Sequence, residues 1–385
     1  MRTLCGLYAD SMRTLCGLRI EADSGIAFGR VWCSVRGVQA AASAGVPEGV
    51  ETKILQATRH SHKDYAFDEA HDPTRPAMYW FQEAVEGLVL FVVFYTQACR
   101  WSQCLGCNLP ALMSARRVGF RALMAQVDTL LDDPVVAAKA SELRKVIVSN
   151  NGSVLDQETF SSTALIYLIA RLNQHLPHLA VLTLETRVEY VDPPELEFIA
   201  RALQEGETPT ALELAIGFEA FDDQIRNGVF RKGLRLEQFE DLVRTVARYG
   251  FRLKCYFMQK PVPQMSDEAG VKDIHAAIDY LSRWAGETGV EINLHLNPTY
   301  VAFGTALEAS FRRGEYSPPL LVDVARALVR AEGRPITVFA GLSDEGLACP
   351  GGSFVRPGDE AWVRRLEALN RTQDYGELRA SLCAG

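Results

Sequence analysis

The sequence predicts an α/β protein folded as a barrel, whole or partial, of six strand–helix units, and three observations predict it. Apolar runs at Leu88–Tyr95, Lys145–Asn151, Val181–Val191, Ala211–Phe221, Phe251–Met258 and Glu291–Pro298 alternate with helical patterns, and a shorter seventh run lies at Ile336–Gly341. Strands that alternate with helices make βαβ units and a mainly parallel sheet. Successive strand ends lie 30 to 56 residues apart, enough for one crossover each. Third, several strands carry a polar face where buried parallel strands ordinarily read as unbroken apolar runs.

Taken in order, the first forty residues stand apart. MRTLCGL occurs at 1–7 and again at 12–18, an eleven-residue offset that matches no structural repeat period. We read it as a local duplication or a start assigned too far upstream, and residues 1–74 as an irregular N-terminal segment. A barrel is expected over 75–300 and a short C-terminal α/β extension over 301–385. Helices are predicted at Thr159–Leu176, Pro193–Glu205, Leu236–Tyr249 and Asp267–Glu287. Pro193-Pro194 after Asp192 is a helix start, because proline is tolerated in the first turn.

The strand faces carry the functional signal. Thr183, Glu185 and Arg187 share one face of their strand, opposite Leu182 and Leu184. Glu213, Gly217 and Glu219 oppose Leu212, Leu214, Ile216 and Phe218, and Asn293, His295 and Asn297 oppose Ile292, Leu294 and Leu296. One such strand alone reads equally well as an edge strand with a wet side. Three together point to a sheet wrapped around a polar ligand, which in barrels sits at the carboxyl ends of the strands.

Composition narrows the class. With 385 residues, 48% hydrophobic and 23% charged, the chain can bury a large core without staples. Forty basic against 48 acidic side chains give −8, which is not the footprint of a default nucleic-acid binder. The longest charge-free apolar run, Gly87 to Cys99, falls short of the ~20 residues of a spanning helix, so no membrane segment is expected. Nine cysteines at irregular spacing argue against a secreted disulfide framework and for the cytoplasm.

Three of those cysteines form a motif. Cys99, Cys104 and Cys107 make C-x4-C-x2-C four residues beyond the first barrel strand, where a parallel barrel puts its active-site loop. Structural zinc takes four ligands, and no second pair follows. A ferredoxin-type cluster also needs a fourth cysteine. Cys255, 148 residues on, lies in an apolar strand opposite Lys254 and Tyr256 and reads as a buried small hydrophobe. What remains is a cluster held by three thiolates with one iron open, against the alternatives of structural zinc or unrelated thiols.

A three-cysteine loop at this place in such a barrel resembles the radical S-adenosylmethionine (SAM) superfamily. Within it the chain is similar to the branch of the Elongator catalytic subunit, the tRNA methylthiotransferases and the archaeosine-biosynthesis radical SAM protein. The segments that carry the resemblance are YTQACRWSQCLGC, SNNGSVLD, LETRVEYV, IGFEAFDDQIRNGVFRKG, NLHLNPTYVAFGT and RRGEYSPP. It implies a partial (βα)6 barrel, a 4Fe–4S cluster on Cys99, Cys104 and Cys107, and SAM on the open iron. It further implies SAM contacts from Asn150, Asn151, Gly152, Ser153, Glu185, Arg187 and Glu219, and substrate contacts from Asn293, His295 and Asn297. Arg187 or SAM's own positive groups would counter a barrel carboxylate. The implied reaction is reductive cleavage of SAM followed by hydrogen abstraction, in tRNA nucleoside modification of the archaeosine type, with a flavodoxin- or ferredoxin-type electron donor and tRNA as partners. No catalytic side chain is assigned. A small metabolite or peptide substrate, and a non-catalytic iron–sulfur or zinc protein, are the alternatives. Two departures stand out: the residue before the last cysteine is Gly106 where relatives commonly place an aromatic, and the first cysteine spacing is x4 where x3 is commoner. His60 and His62 form H-x-H without a ligand framework, and Lys254 and Tyr256 are further lumen-facing candidates for substrate contact.

Overall fold

The computed structural model describes residues 49–384. The duplicated heptapeptide, with Cys5, Cys16 and Cys33, lies outside the described residues. The first helix, α1 (Val50–His60), is followed by a strap, 61–77, and then by β1 (Met78–Ala84) and β2 (Gly87–Val93), an antiparallel hairpin. Its two-residue turn, Val85–Glu86, is closed by Gly87 at φ 110°, a conformation that suits only a residue without Cβ.

From β2 the chain alternates through α2 (Phe120–Leu131), α3 (Pro134–Lys139), β3 (Leu143–Ser149), α4 (Ser162–His175), β4 (Val181–Thr186), α5 (Pro193–Ala202) and β5 (Ala211–Glu219). It continues through α6 (Leu236–Tyr249), β6 (Arg252–Gln259), α7 (Asp267–Thr288), β7 (Ile292–Pro298), α8 (Ala306–Arg312), α9 (Leu321–Leu328) and β8 (Thr337–Ala340), and ends with α10 (Glu360–Thr372) and α11 (Gly376–Ala384). The eight strands form one sheet in the order β1 to β8, parallel from β2 onward. The short run at Ile336–Gly341 thus adds a seventh parallel strand to the six expected, and β1 adds an antiparallel one that the alternation did not announce. α5 starts at Pro193, as its double proline requires, and Ser266 caps α7 by accepting from the Ala269 amide.

The outward strand faces meet the helices in one continuous core. Leu182, Leu184, Leu214, Phe218, Leu253, Phe257, Leu294 and Leu296 are fully buried there, each contributing roughly 1.5–3 kcal/mol. Cys255 is buried in the same cluster. α10 closes the free edge of the sheet. Asn370 accepts from the Ala340 amide at 2.7 Å and donates to its carbonyl at 2.9 Å, while Gln373 does the same to Val338 at 2.8 and 2.9 Å. Two side-chain amides therefore stand in for a ninth strand, which blunts the edge of β8.

Inside, the lower barrel is filled by a polar network. Lys145, 3% exposed, donates to Glu213 at 2.7 and 2.8 Å and to Glu86 at 2.7 Å, and Thr183 donates to Glu213 at 3.2 Å. One layer higher, Lys254 donates to Asn293 at 2.6 Å and Asn293 to Thr337 at 2.9 Å. No helix among the described residues is long and apolar enough to cross a membrane.

Candidate functional site

Above that floor the barrel opens, at the carboxyl ends of its strands, into a cavity of about 650 Å³. Cys99, Cys104 and Cys107 line it from the loop after β2, together with Gly152, Glu185, Glu219 and His295 from the ends of later strands. Chain segments far apart in sequence hold the cysteine loop. The Trp101 indole donates to the Arg231 carbonyl at 2.8 Å and lies under the Arg187 guanidinium at 4.5 Å. Gly233 is required beneath it, because a Cβ there would come within 2.5 Å of the ring. Arg100 holds Asp156 through two 2.6 Å bonds, a bidentate pair that ties the loop to the turn after β3.

The three thiols sense one another electrostatically. Burial pushes Cys104 up to about 12, opposed by Lys232 and reinforced by Cys107; burial likewise raises Cys107, opposed by Lys63. Thiols disfavoured as free anions become good ligands when a metal supplies the counter-charge. Among the described residues no three His, Cys, Asp or Glu side chains converge on a single-ion site. A cubane spreads its three protein ligands over three irons, so the soft donor set suits a cluster.

The turn after β3 approaches the thiols closely. At Gly152 a Cβ would lie 3.2 Å from the Cα of Cys99, a contact so tight that any side chain there would push the cysteine loop back by a few tenths of an ångström. Asn151, at φ 53°, and Gly152 line the cavity. Asn150 and Ser153 brace the turn instead: Asn150 donates to the Ser153 carbonyl at 3.4 Å, and the Ser153 hydroxyl pairs with Thr186 at 2.7 Å and accepts from the Arg187 amide at 3.0 Å.

The acidic residues divide. Glu219 sits at a register shift in β5 with φ 72° and accepts from Lys232 at 2.7 Å. Gly217 makes room for that pair, since its Cβ would strike Lys232 Nζ at 2.3 Å. Lys232 was not singled out from sequence; only its place beside the left-handed Glu219 reveals it. Glu185 has Ser149 and Tyr256 beside it, and burial raises its carboxyl above the usual range. Its expected counter-charge, Arg187, is spent on Glu189 and on the Lys232 carbonyl at 3.1 Å. Glu345, also missed from sequence, lines the cavity from the loop after β8 at φ 53°; burial, then Glu185 and Asp344, raise it to about 7.

The third predicted face splits as well. His295, 5% exposed, packs between Tyr256 and Phe339 with ring centroids 4.7 Å from each, and its Nδ1 has no partner. Burial holds its ring well below the ordinary histidine value, so it is neutral. Asn297 lines the cavity next to it, and Gly341 clears the space: a Cβ there would lie 2.2 Å from Asn297 and 2.8 Å from His295 Nε2. Asn293 lies below, its amide committed to Lys254 and Thr337. Lys254 belongs to that same lower layer, whereas Tyr256 lines the cavity. Gly106 lacks the expected aromatic, but Phe230, reaching over from the segment after β5, lies 3.5 Å from where its Cβ would be and lines the cavity itself. His60 and His62 are exposed at the end of α1.

No protein-family model matches the chain. It is 26% identical over 266 residues to archaeosine synthase subunit beta of Methanosarcina acetivorans, covering 67% of this chain and 72% of that one. The protein of the same name from Thermococcus kodakarensis is 26% identical over 120 residues, 31% of this chain and 35% of its own. Among solved structures, methylornithine synthase covers 87% of this chain and 93% of its own at 13% identity and a TM-score of 0.43. The archaeal Elp3 of Methanocaldococcus infernus covers 65% of this chain and 58% of its own at 15% identity and 0.42. The three-cysteine loop at the head of the barrel and sequence similarity running over two thirds of the chain bear out the expected resemblance to the radical SAM superfamily.

Proposed function

We propose that the protein is a radical SAM enzyme that holds a 4Fe–4S cluster on Cys99, Cys104 and Cys107 and acts on a modified nucleoside of tRNA. The archaeosine-type reaction is cleavage of a C–N bond in a lysine adduct on a deazaguanine base. One observation carries the cofactor reading: three thiols and a carboxylate without a counter-ion, Glu185, line the same cavity. The substrate reading rests on the similarity to archaeosine synthase subunit beta.

When bound and reduced, the cluster supplies the electron that splits SAM into methionine and a 5′-deoxyadenosyl radical. The chain's own part is to bind, orient and enclose. The backbone of Asn151 and Gly152 lies where the SAM amino group would be received, and Glu185 offers a negative partner for a cationic ligand. Phe230 supplies an apolar surface at the position that Gly106 leaves bare. His295, neutral and with one free ring nitrogen, and Asn297 offer a donor and an acceptor deeper in the cavity, facing an aromatic wall of Trp80 and Phe91 stacked at 4.2 Å. Asn293 is left out of this site. The reductant is proposed to be a flavodoxin or ferredoxin, and the compartment the cytoplasm.

Anaerobic reconstitution with iron and sulfide, then dithionite and SAM, tests the proposal by chromatography of 5′-deoxyadenosine. Wild type is expected to release it, while Cys104→Ala falls to background. An assembled cluster that never cleaves SAM would leave a structural iron–sulfur protein, and bound zinc with no cluster would remove the enzyme reading. The net charge of −8 favours a second reading, a small metabolite or peptide substrate. Binding to tRNA that does not weaken with salt would support it, because phosphate-driven recognition falls steeply as salt rises.

A further inference from the structure

The strap between α1 and β1 takes no part in the barrel, yet its first residues lie against the cysteine loop. Ser61 donates to the Gln103 carbonyl at 3.4 Å and Lys63 to the Ser102 carbonyl at 3.0 Å. The Asp64 amide donates to Gly304 at 2.7 Å, and Tyr95 from the end of β2 donates to the Asp68 carbonyl at 2.5 Å. The course is built in on the far side too: a Cβ on Gly304, at φ 67°, would fall 2.4 Å from the Asp64 carbonyl oxygen.

Two side chains of this strap lack the partners their burial demands. Lys63 is 8% exposed, and its ammonium has the Ser102 carbonyl as its hydrogen-bond partner and no carboxylate within ion-pair distance among the described residues. The Tyr65 hydroxyl is buried with no hydrogen bond of proper geometry, although the Thr58 hydroxyl, which donates to Ile54 at 2.8 Å, lies near it. A buried cation without an anion and a buried hydroxyl whose hydrogen bond is not made are both costly. Lys63 is bonded into the cysteine loop, and both side chains are within electrostatic reach of the thiols. Lys63 lines the cavity and opposes the burial that raises Cys107, and the Tyr65 phenol is raised first by burial and next by Cys107, with Cys99 and Cys104 adding.

We infer that the strap is the electrostatic cover of the iron–sulfur cluster, with the Lys63 ammonium facing its negative charge and the Tyr65 hydroxyl donating to its sulfur. Charge and hydrogen bonds at the sulfurs are what set a cluster's reduction potential, and a cation favours the reduced, more negative state. Lys63 and Tyr65 are positioning residues that make the cluster easier to reduce. The inference rests on the cofactor reading above.

The test is a redox titration of the reconstituted enzyme, followed by cluster absorbance and electron paramagnetic resonance, with and without SAM. For Lys63→Met the reduced-to-oxidised ratio at a fixed potential is expected to fall about tenfold, which is 59 mV for one electron. Tyr65→Phe shifts it the same way by less, and Lys63→Arg stays near wild type. A Lys63→Met protein with a full cluster and the wild-type potential overturns the inference. So does a shift seen only with SAM present, which would assign Lys63 to SAM. Where Lys63→Met assembles no cluster, assembly in Lys63→Arg together with a shifted Tyr65→Phe supports the inference, and failure of Lys63→Arg overturns it in favour of a structural role. Wild type that assembles no cluster overturns the cofactor reading first, and this one with it.

Discussion

The floor and the mouth of this barrel are built from the same kind of residue and behave in opposite ways. On the floor, Lys145 forms ion pairs with Glu213 and Glu86, and Lys254, lowered to about 8 by burial, still donates to Asn293, which donates on to Thr337, so each polar group is hydrogen-bonded within the fold. At the mouth, Glu185 and Glu345 face the cavity without a cation, His295 keeps a free ring nitrogen, and Lys63 lacks an anion. The backbone follows the same division. Ser102, Asn151, Glu219 and Glu345 adopt φ between 46° and 72° around the mouth, in the left-handed region that costs a residue with Cβ. No residue of the floor network does so. Polar groups satisfied by one another hold a barrel open; polar groups left over, on strained backbone, await a ligand.

The largest effect should come from breaking the floor. Lys145→Met strands Glu213 as a buried carboxylate, while Glu86 keeps Arg252 at 3.4 Å, and an uncompensated buried charge of this kind costs about 3–5 kcal/mol. Urea unfolding of the metal-free protein should show that loss. A loss under 1 kcal/mol would mean that water reaches the floor and that the contrast with the mouth is false.

Sequence reasoning captured what periodicity and spacing encode. The strand runs, the starts of α5 and α7 and the place of the cysteine loop all follow from alternation and local helix-start chemistry. Those signals are carried by neighbouring residues. Glu185 and Glu213 look alike in sequence, each a carboxylate on an inward strand face, and only the register between β3, β4 and β5 puts Glu213 in an ion pair with Lys145 and leaves Glu185 lining the cavity. Lys232 and Glu345 were missed for the same reason: each reaches the cavity from a loop whose path depends on a left-handed residue or a packed glycine. β1 was hidden because its residues are half-buried on both faces, which leaves no alternation to read. α10 was hidden because its task is to offer two amides to a strand edge, a role that composition does not mark.

A change at the mouth should leave the fold standing and weaken binding. Glu185→Gln removes a carboxylate that lacks a counter-ion, so stability should hold or rise. The affinity of the reconstituted enzyme for SAM, measured by equilibrium dialysis, should fall roughly tenfold, about 1.4 kcal/mol. Unchanged affinity with reduced stability would turn Glu185 into a floor-type residue and dissolve the distinction.

The smallest effect, and the one that tests the sign of the contrast, lies at Glu345. Its carboxyl is raised from its ordinary 4.5 to about 7 by burial and by the neighbouring Glu185 and Asp344. A raised carboxyl binds a proton more tightly in the folded chain than in the unfolded one. It therefore favours the fold below pH 4.5, and that contribution is lost as pH climbs to about 7, above which the group is a standing cost. Glu345→Gln should flatten this stretch of the stability profile and make the variant more stable than wild type at pH 8, by on the order of 1 kcal/mol once solvent screening at the open mouth is allowed for. Paired urea titrations at pH 5 and pH 8 read it directly. A variant less stable than wild type at pH 8 would mean that Glu345 already has a favourable partner, and that the mouth is as self-satisfied as the floor.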